Sequence, residues 1–324
     1  MSALRLMLAV VAVLGVGAAP SSAQSYPTKP VHIVVPTSPG GITDTLARAL
    51  AQRLTESLGQ QVVVENRAAG AGQLGMDYVA RAAPDVYTLV VAADASFVVN
   101  QHLYSRLSYD PVNDFIPISG LGISPQALVV HPAVPANTFS ELIALAKGKP
   151  GELNYGTFGI GTSGHLNIIL LESETGAKFT PVHYRGAAPA ITDLLGGHIQ
   201  MMIVAVGLLR QNIEAGKLKL LGIGSRQRLP QYPDTPTLIE SGLPGYEAGS
   251  WYGLAAPKGT PGPIVDRLSA ETQKLFADPA FRDKFLAPAV TFSIASPPAQ
   301  FAERMRADSA KWGKVIRDAG VRVE

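Results

Sequence analysis

The sequence contains no cysteine among its 324 residues. Disulfide bonds, thiolate catalysis and cysteine-ligated metal sites are therefore excluded. The six histidines show no HExxH pattern or similarly close spacing, so we expect neither a bound metal nor another cofactor. The fold must instead be stabilised by a hydrophobic core, which a composition of 47% hydrophobic residues can supply.

The chain also lacks a strong charge bias and a long apolar segment. Lys and Arg number 27 and Asp and Glu number 25, without a dense basic run, so we expect no nucleic-acid partner. No run reaches the ~20 apolar residues of a membrane-spanning helix. A shorter apolar run, Leu6 to Val16, follows Arg5 and precedes small residues up to Ala23, as in a secretory signal. We predict a signal peptide over residues 1–23 and a periplasmic mature protein; a membrane anchor is the alternative.

Two glycine-rich segments, Ser38–Asp44 and Gly159–His165, each follow an apolar run and precede a segment with helical periodicity. A glycine turn at a helix start leaves backbone N–H groups free, and the positive end of the helix dipole favours an anion there. Neither segment fits the GxxxxGK[ST] nucleotide motif, so a smaller anion such as a carboxylate is favoured. The two segments therefore predict two halves of one anion clamp.

Short β-branched runs alternate with helical periodicity, which is the pattern of a parallel α/β sheet. One series runs from Val31 to Ala92 and a second begins near Leu128, so we expect two sheets and two domains. The last two helical segments have no new sheet and should pack back on the first domain. The predicted lobe 1 is residues 24–122 and 249–324, and lobe 2 is residues 123–248. Two crossovers form a natural hinge, with the ligand in the cleft between the lobes.

A series of short motifs covers nearly the whole mature chain. They include Tyr26–Pro30, Val63–Arg67, Thr192–Gly197, Gly242–Tyr246 and Trp312–Val315. Their order and spacing resemble those of the Bug family, the periplasmic solute-binding proteins of tripartite tricarboxylate transporters. The resemblance implies a type II periplasmic binding protein fold, with two α/β lobes joined by a two-crossover hinge. It also implies a small organic carboxylate as ligand and integral membrane permease subunits as partners, and we expect a monomer.

The resemblance places the carboxylate at the two glycine-rich turns, held through backbone amides, hydroxyls and bridging water. Carried over by position, the predicted ligand-binding residues are Ser38, Gly40, Gly41, Thr43, Asp44, Asp94 and Phe97 on one lobe, and Phe158, Gly159, Gly161, Thr162, Ser163, His165, Tyr184, Val204 and Ala205 on the other.

Several of these residues have an alternative role. Asp44 is favoured in a first helical turn whatever the ligand, and it could orient the turn instead. Thr162 and Ser163 suit helix capping, and His165 could be a packed histidine. Phe97 and Phe158 could line the cleft or pack locally.

One departure from the family pattern bears on the ligand. Val204 stands where many relatives have an acidic residue, so a cleft lined by Val204 and Ala205 lacks a side-chain acceptor for an ammonium group. This favours carboxylates without an α-amino group, with an apolar or aromatic body beside Phe97 and Phe158.

A hydrolase is the main competing class. The chain has no GxSxG elbow, and Ser163 and His165 at one helix start cannot be assumed to pair as nucleophile and base. We therefore predict no catalytic residues. An exported carboxylate sensor for a membrane signalling partner would use the same fold and stays open. The favoured prediction is an extracytoplasmic solute-binding protein that captures a small carboxylate between its lobes and delivers it to a membrane transporter.

Overall fold

The structure is a computed structural model that describes residues 26–69 and 72–323. The signal peptide predicted over residues 1–23 lies outside these residues. Within the described part of the chain, no helix is both long and apolar enough to cross a membrane.

The first half of the fold is built on three parallel strands. Strand β1 (Val31–Val35) lies between β2 (Val62–Asn66) and β3 (Thr88–Ala93). The connecting helices are α1 (Ile42–Leu58) and α2 (Gln73–Ala80), and β3 is followed by a π-helical turn (Ala95–Val99) and helix α3 (Asn100–Leu103). Helix α1 buries its leucines at four-residue spacing against one face of the sheet, while α2 and the π-helical turn cover the other face.

Strand β4 (Phe115–Val130) joins the two halves. Its 16 residues pair first with β9 (Gly249–Pro257) and β10 (Phe292–Ser293), and then with β7 (Met201–Ala205) and β8 (Lys219–Ile223), all antiparallel. Two sheets were expected from the sequence. The structure has one continuous sheet of ten strands, because this long strand belongs to both halves.

The second half is completed by β5 (Asn154–Thr157) and β6 (Thr180–His183), and the strands β6, β5 and β7 lie parallel in that order. Its helices are α4 (Phe139–Gly148), α5 (Ser163–Thr175), α6 (Ala187–Leu195) and α7 (Val206–Glu214). Helices α4 and α5 pack on one face of this part of the sheet, and α6 and α7 pack on the other.

The C-terminal segment packs on the first half, and its last helix also contacts α5 of the second half. Helix α8 (Gly262–Ala277) packs beside α1, and after the short turn α9 (Pro279–Phe281) helix α10 (Pro298–Ala319) packs on the π-helical turn and α3. The predicted lobe boundaries, 24–122 with 249–324 and 123–248, stay a prediction.

The strand directions bring the loops of both halves together. Strands β1 and β3 run parallel to β4 and end towards the second half, whereas β7 runs against β4 and ends at Ala205, which pairs with Gln126. Strands β5 and β6 end on the same side as β7. Ligands of α/β folds bind outside the carboxyl ends of parallel strands. The loops after β1 and β5, which contain the two glycine turns, therefore lie where the two halves meet, at the place where the sequence predicts the ligand cleft.

Candidate ligand-binding site

The first glycine turn is held by the carboxylate of Asp44. Gly40, with a φ of +87°, donates its N–H to Asp44 Oδ2 at 2.9 Å. Arg48 Nε donates to the same oxygen at 3.0 Å, and Asn66 Nδ2 donates to Oδ1 at 2.9 Å. Burial alone would raise the pKa of Asp44, but the hydrogen bonds from Arg48, Gly40 and Asn66 outweigh it and hold the pKa below its usual range. The carboxylate, 3% exposed, is thus ionised and fully engaged within the turn.

The second glycine turn is held in the same way by His165. Gly161, with a φ of +75°, donates its N–H to His165 Nδ1 at 3.1 Å. The ring is 6% exposed, stacks on Tyr155 and meets the edge of His183. Burial, and secondly His183, lowers the pKa of His165 to about 4. The imidazole is therefore neutral, and because Nδ1 accepts a hydrogen bond, Nε2 carries the proton.

The two turns share one design, in which a glycine N–H is bound by the side chain four residues later. The N–H groups of Gly40 and Gly161 are consequently not free to bind a ligand. The free donors lie one step further along, at the starts of α1 and α5, where the first N–H groups have no partner within the helix.

These helix starts are also left without side-chain caps. Gly41 is the N-cap of α1 and Thr162 that of α5, and neither receives a side-chain capping bond. Thr162 had a predicted alternative role as a cap, but its hydroxyl donates to Gly159 O at 2.7 Å instead. Ala205 is the N-cap of α7 and likewise lacks one. Three helix starts thus lack a side-chain cap, and those of α1 and α5 follow the two glycine turns, an arrangement that suits an anion.

Ser163 and His165 do not form a nucleophile–base pair. Ser163 Oγ accepts a hydrogen bond from Gln126 Nε2 at 2.6 Å, and His165 Nδ1 is occupied by the N–H of Gly161. The histidine therefore holds a turn and does not activate the serine.

The other predicted residues of the turns differ in exposure. Ser38 and Gly41 are exposed, whereas Thr43 is buried. Phe158 lies over the start of α5, since a Cβ built on Gly164 would be 2.5 Å from its ring. Tyr184 donates its hydroxyl to Asp193 Oδ2 at 2.6 Å, and burial together with Asp193 raises its pKa to about 12.

Two predicted wall residues are not on a wall. Phe97 is 1% exposed and stacks on Trp251 at a ring-centroid distance of 6.0 Å, with Phe301 against its edge. Val204 is also 1% exposed and belongs to the core beneath α6 and α7, because alternation along β7 turns it towards these helices. Neither side chain presents surface to the cleft in this structure. The absence of an acid at Val204 therefore carries no information about an ammonium acceptor.

Asp94 lies at the end of β3, where the two halves meet. Its Oδ1 accepts hydrogen bonds from Ala95 N at 2.9 Å and from Ser250 Oγ at 2.7 Å. Burial outweighs these bonds and raises the pKa of Asp94 to about 7. It also borders a cavity of about 1040 Å³ between α10 and residues 224–230, and none of the described turn residues lines that cavity.

The family follows from a match along most of the chain. Residues 46–321 match the family model described as tripartite tricarboxylate transporter family receptor. The chain belongs to this family. Among curated relatives, BugT of Bordetella pertussis is 35% identical over 308 residues, covering 95% of this chain and 94% of BugT.

Two solved structures resemble this receptor in sequence and fold. Rpa4515 of R. palustris, solved with adipate, has a TM-score of 0.82 and 33% identity, covering 92% of this chain and 100% of that one. MatC of Rhodopseudomonas palustris, solved with bound malate, has a TM-score of 0.77 and 31% identity, covering 90% and 100%. The predicted type II periplasmic binding protein fold is confirmed, and the receptor is a binding protein rather than an enzyme.

Reasoning from the sequence missed the residues that position the turns of the receptor. Arg48 follows Asp44 by four residues on α1, a spacing that indicates an ion pair and could have been found. Gln126 is a single amide residue within β4, and its sequence neighbours form no motif that would indicate a functional role. Its contact with Ser163 depends on where β4 enters the second half, which the sequence does not show.

His165 makes the stability of the receptor depend on pH. The folded pKa of about 4 lies below the ordinary 6.5, so the unfolded chain binds the proton first as the pH falls. The stabilisation is complete above pH 6.5 and is lost as the pH drops towards 4. We expect this residue to account for a loss of about 2 kcal/mol in the free energy of unfolding between pH 7 and pH 5.

Urea denaturation at several pH values measures this loss in the parent and in His165→Gln, whose side chain does not titrate in this range. The variant should show a flatter profile between pH 7 and pH 5. Replacing His131, which is half-exposed and also accepts a backbone N–H, is the matched control. Parallel profiles for the parent and His165→Gln would contradict the assignment.

Proposed function

We propose that this receptor captures a small carboxylate in the cleft between its lobes and delivers it to integral membrane permease subunits. The observation that carries the proposal is the pair of uncapped helix N-termini at the two glycine turns. The adipate of Rpa4515 and the malate of MatC support a carboxylate as the ligand class. The N-terminal signal-like sequence supports export to the periplasm, and we propose that the mature protein works as a monomer.

The available donors are sufficient for useful affinity. A hydrogen bond to a charged group contributes roughly 1.5–3 kcal/mol. A micromolar complex needs about 8 kcal/mol after the costs of ordering and desolvation. Several amides from two helix starts, with the hydroxyl of Ser163, could supply this without an arginine. Asp44 acts in this proposal as a positioning residue, because its oxygens are already occupied by three donors.

Closure of the lobes requires a hinge, and side-chain bonds indicate where it lies. The chain passes between the halves twice, along β4 and just before β9. On the side of the first half, a serine in each of these crossovers is hydrogen-bonded to the first half. Ser124 Oγ and Thr291 Oγ1 are 2.8 Å apart, and Ser250 donates to Asp94 at 2.7 Å. These bonds fix the two crossover strands to the first half.

On the other side, backbone bonds fix the crossovers to the second half. Gln126 N donates to Ala248 O at 3.0 Å, Ala248 N donates to Gly224 O at 2.9 Å, and Gly224 N donates to Gln126 O at 2.8 Å. Between the two sets of bonds lie only Pro125 and Gly249, which are register partners. We propose this pair as the hinge, at or near the predicted boundaries.

Calorimetry with ligand-free protein tests the proposed function. Copurified ligand is first removed by unfolding and refolding, and adipate, malate and citrate are then titrated separately. We expect at least one to bind with micromolar affinity, to raise the melting temperature by mass action, and to compact the protein in small-angle scattering. Adipamide, the neutral diamide of adipate, is the matched control and should bind at least about tenfold more weakly. Equal binding of the diamide, or no binding across the carboxylates, would contradict the proposal.

A further inference from the structure

Three buried or partly buried side chains form a relay at the start of α5: Asn167 and Ser163 of that helix, and Gln126 of β4 between them. Asn167 Nδ2 donates to Gln126 Oε1 at 2.8 Å, and Gln126 Nε2 donates to Ser163 Oγ at 2.6 Å. Gln126 is 2% exposed and Asn167 is fully buried. Tyr246, on the segment that precedes β9, donates its hydroxyl to the backbone carbonyl oxygen of Asn167 at 2.6 Å and so holds α5 at this residue. The relay therefore has little freedom to rearrange.

The two amides could be oriented in either direction, and the orientation that leaves fewer buried N–H groups without an acceptor is favoured. Asn167 Oδ1 is a buried oxygen that has no hydrogen-bond partner among the described residues. If both amides were reversed, the Asn167 NH2 group would occupy that place. The NH2 group has two N–H donors, and burying them without an acceptor costs more than leaving one carbonyl oxygen under-satisfied, as is also seen for backbone groups. Asn167 consequently donates to Gln126, and Gln126 donates to Ser163.

This direction decides what Ser163 can offer. Its oxygen receives a hydrogen from Gln126, so its own hydroxyl proton has to point away from Gln126. Within residues 26–69 and 72–323, no protein acceptor takes that proton. Ser163 is the first residue of α5, beside the uncapped helix start at the cleft. The hydroxyl is therefore available as a donor there.

We propose that Gln126 is a positioning residue that holds the Ser163 hydroxyl as a hydrogen-bond donor to the captured ligand. This point of the cleft then selects an oxygen acceptor, such as a carboxylate oxygen, over an ammonium or another donor. The inference rests on the proposed function, because it assumes that the ligand lies at the start of α5. The sequence analysis favoured ligands without an ammonium group because Val204 is not an acid. The orientation of the Ser163 hydroxyl now provides a different reason for the same expectation.

The same glutamine connects the site to the hinge. Its backbone bonds to Ala248 and Gly224 while its side chain holds α5. The second-half part of the site and the second-half side of the hinge are thus one rigid unit. Ser163 should keep its orientation while the lobes open and close.

A double-mutant cycle in ligand affinity tests the inference. The variants are Gln126→Met, Ser163→Ala and the double variant, titrated calorimetrically with adipate and with malate. We expect Ser163→Ala to weaken binding about tenfold and Gln126→Met at least about fivefold, because a hydrogen bond to a charged oxygen is lost or loosened. In the Ser163→Ala background, Gln126→Met should lower the ligand affinity less than about twofold, because Gln126 acts on the ligand only by orienting the Ser163 hydroxyl. A purely structural role would give similar costs in both backgrounds and overturn the inference.

A second measurement does not depend on the Gln126 variant folding or on the ligand. In 15N-labelled parent protein, the side-chain amide signals of Gln126 should shift when Ser163 is replaced by alanine. They should not shift in Ser173→Ala, which lies on the same helix and bonds only to Leu170 O. Unchanged Gln126 signals in Ser163→Ala would overturn the relay.

The two measurements also separate this inference from the proposed function. If the parent binds no carboxylate, the proposed function fails, and with it the claim that Ser163 serves a ligand, whereas the amide signals still decide the relay. If the parent binds and the cycle is additive, the proposed function stands and the inference fails.

Discussion

Replacing Asp44 by alanine is expected to lower the free energy of unfolding by about 3 kcal/mol and to weaken carboxylate binding at least about tenfold. The variant leaves three donors without their acceptor: Gly40 N, Arg48 Nε and Asn66 Nδ2. Loss of a buried, hydrogen-bonded carboxylate is costly because its partners were desolvated on folding. Binding weakens because the turn that precedes α1 is no longer held. Urea denaturation and calorimetry at pH 7 measure the two effects.

A matched control lies on the next helix. Asp77 and Arg81 form an ion pair of the same four-residue spacing, at 2.9 Å, but the Arg81 side chain is 73% exposed and no backbone turn depends on Asp77. Exposed pairs of this kind contribute about 0.3–0.5 kcal/mol. Asp77→Ala should therefore change stability little and leave affinity unchanged. Full affinity in Asp44→Ala, or equal losses in the two variants, would show that Asp44 does not hold the site.

Elements with local signals were predicted well from the sequence. Strand β1 begins at Val31, where the first predicted series begins, and α1 ends at Gly59 in the left-handed conformation that a glycine after a helix favours. These features depend on neighbours within a few residues. Strand β4 was recognised only from Leu128 because glycine, serine and proline interrupt its earlier part. Its length comes from pairing with distant strands of both halves.

In the site, too, the features with a local sequence signal were predicted, and those that depend on side-chain direction or on distant residues were not. The placement of both glycine turns before helices was correct, because a glycine-rich segment between a strand and a helix is a local pattern. The sequence could not show which N–H groups remain free, since this depends on the direction of the Asp44 and His165 side chains. Nor could it show that Phe97 is enclosed by Trp251 and Phe301, which lie far away along the chain.

Two of the glycines predicted to bind the ligand, Gly41 and Gly161, should respond very differently to valine. Gly161 has a φ of +75°, and a Cβ there would collide with Leu103 of the other half. A β-branched residue is strained in this conformation, so Gly161→Val should lose about 3 kcal/mol of stability and separate the contact with Leu103. Gly41 has a φ of −79° and open space around its Cβ position. Gly41→Val should therefore lose no more than about 1 kcal/mol, the difference between a glycine and a poor N-cap residue.

Binding distinguishes the two glycines further. Valine at Gly41 places methyl groups beside the first N–H groups of α1, so we expect affinity for adipate or malate to fall at least about tenfold in a protein that melts like the parent. Loss of binding at Gly161 is less informative, because its turn and the contact between the halves change together. Gly216 is the matched control for Gly161, since it has a φ of +69° with open space and lies after α7, away from both turns. Gly216→Val isolates the backbone strain that Gly161→Val also carries. If Gly41→Val binds adipate or malate as tightly as the parent does, the start of α1 is not part of the clamp.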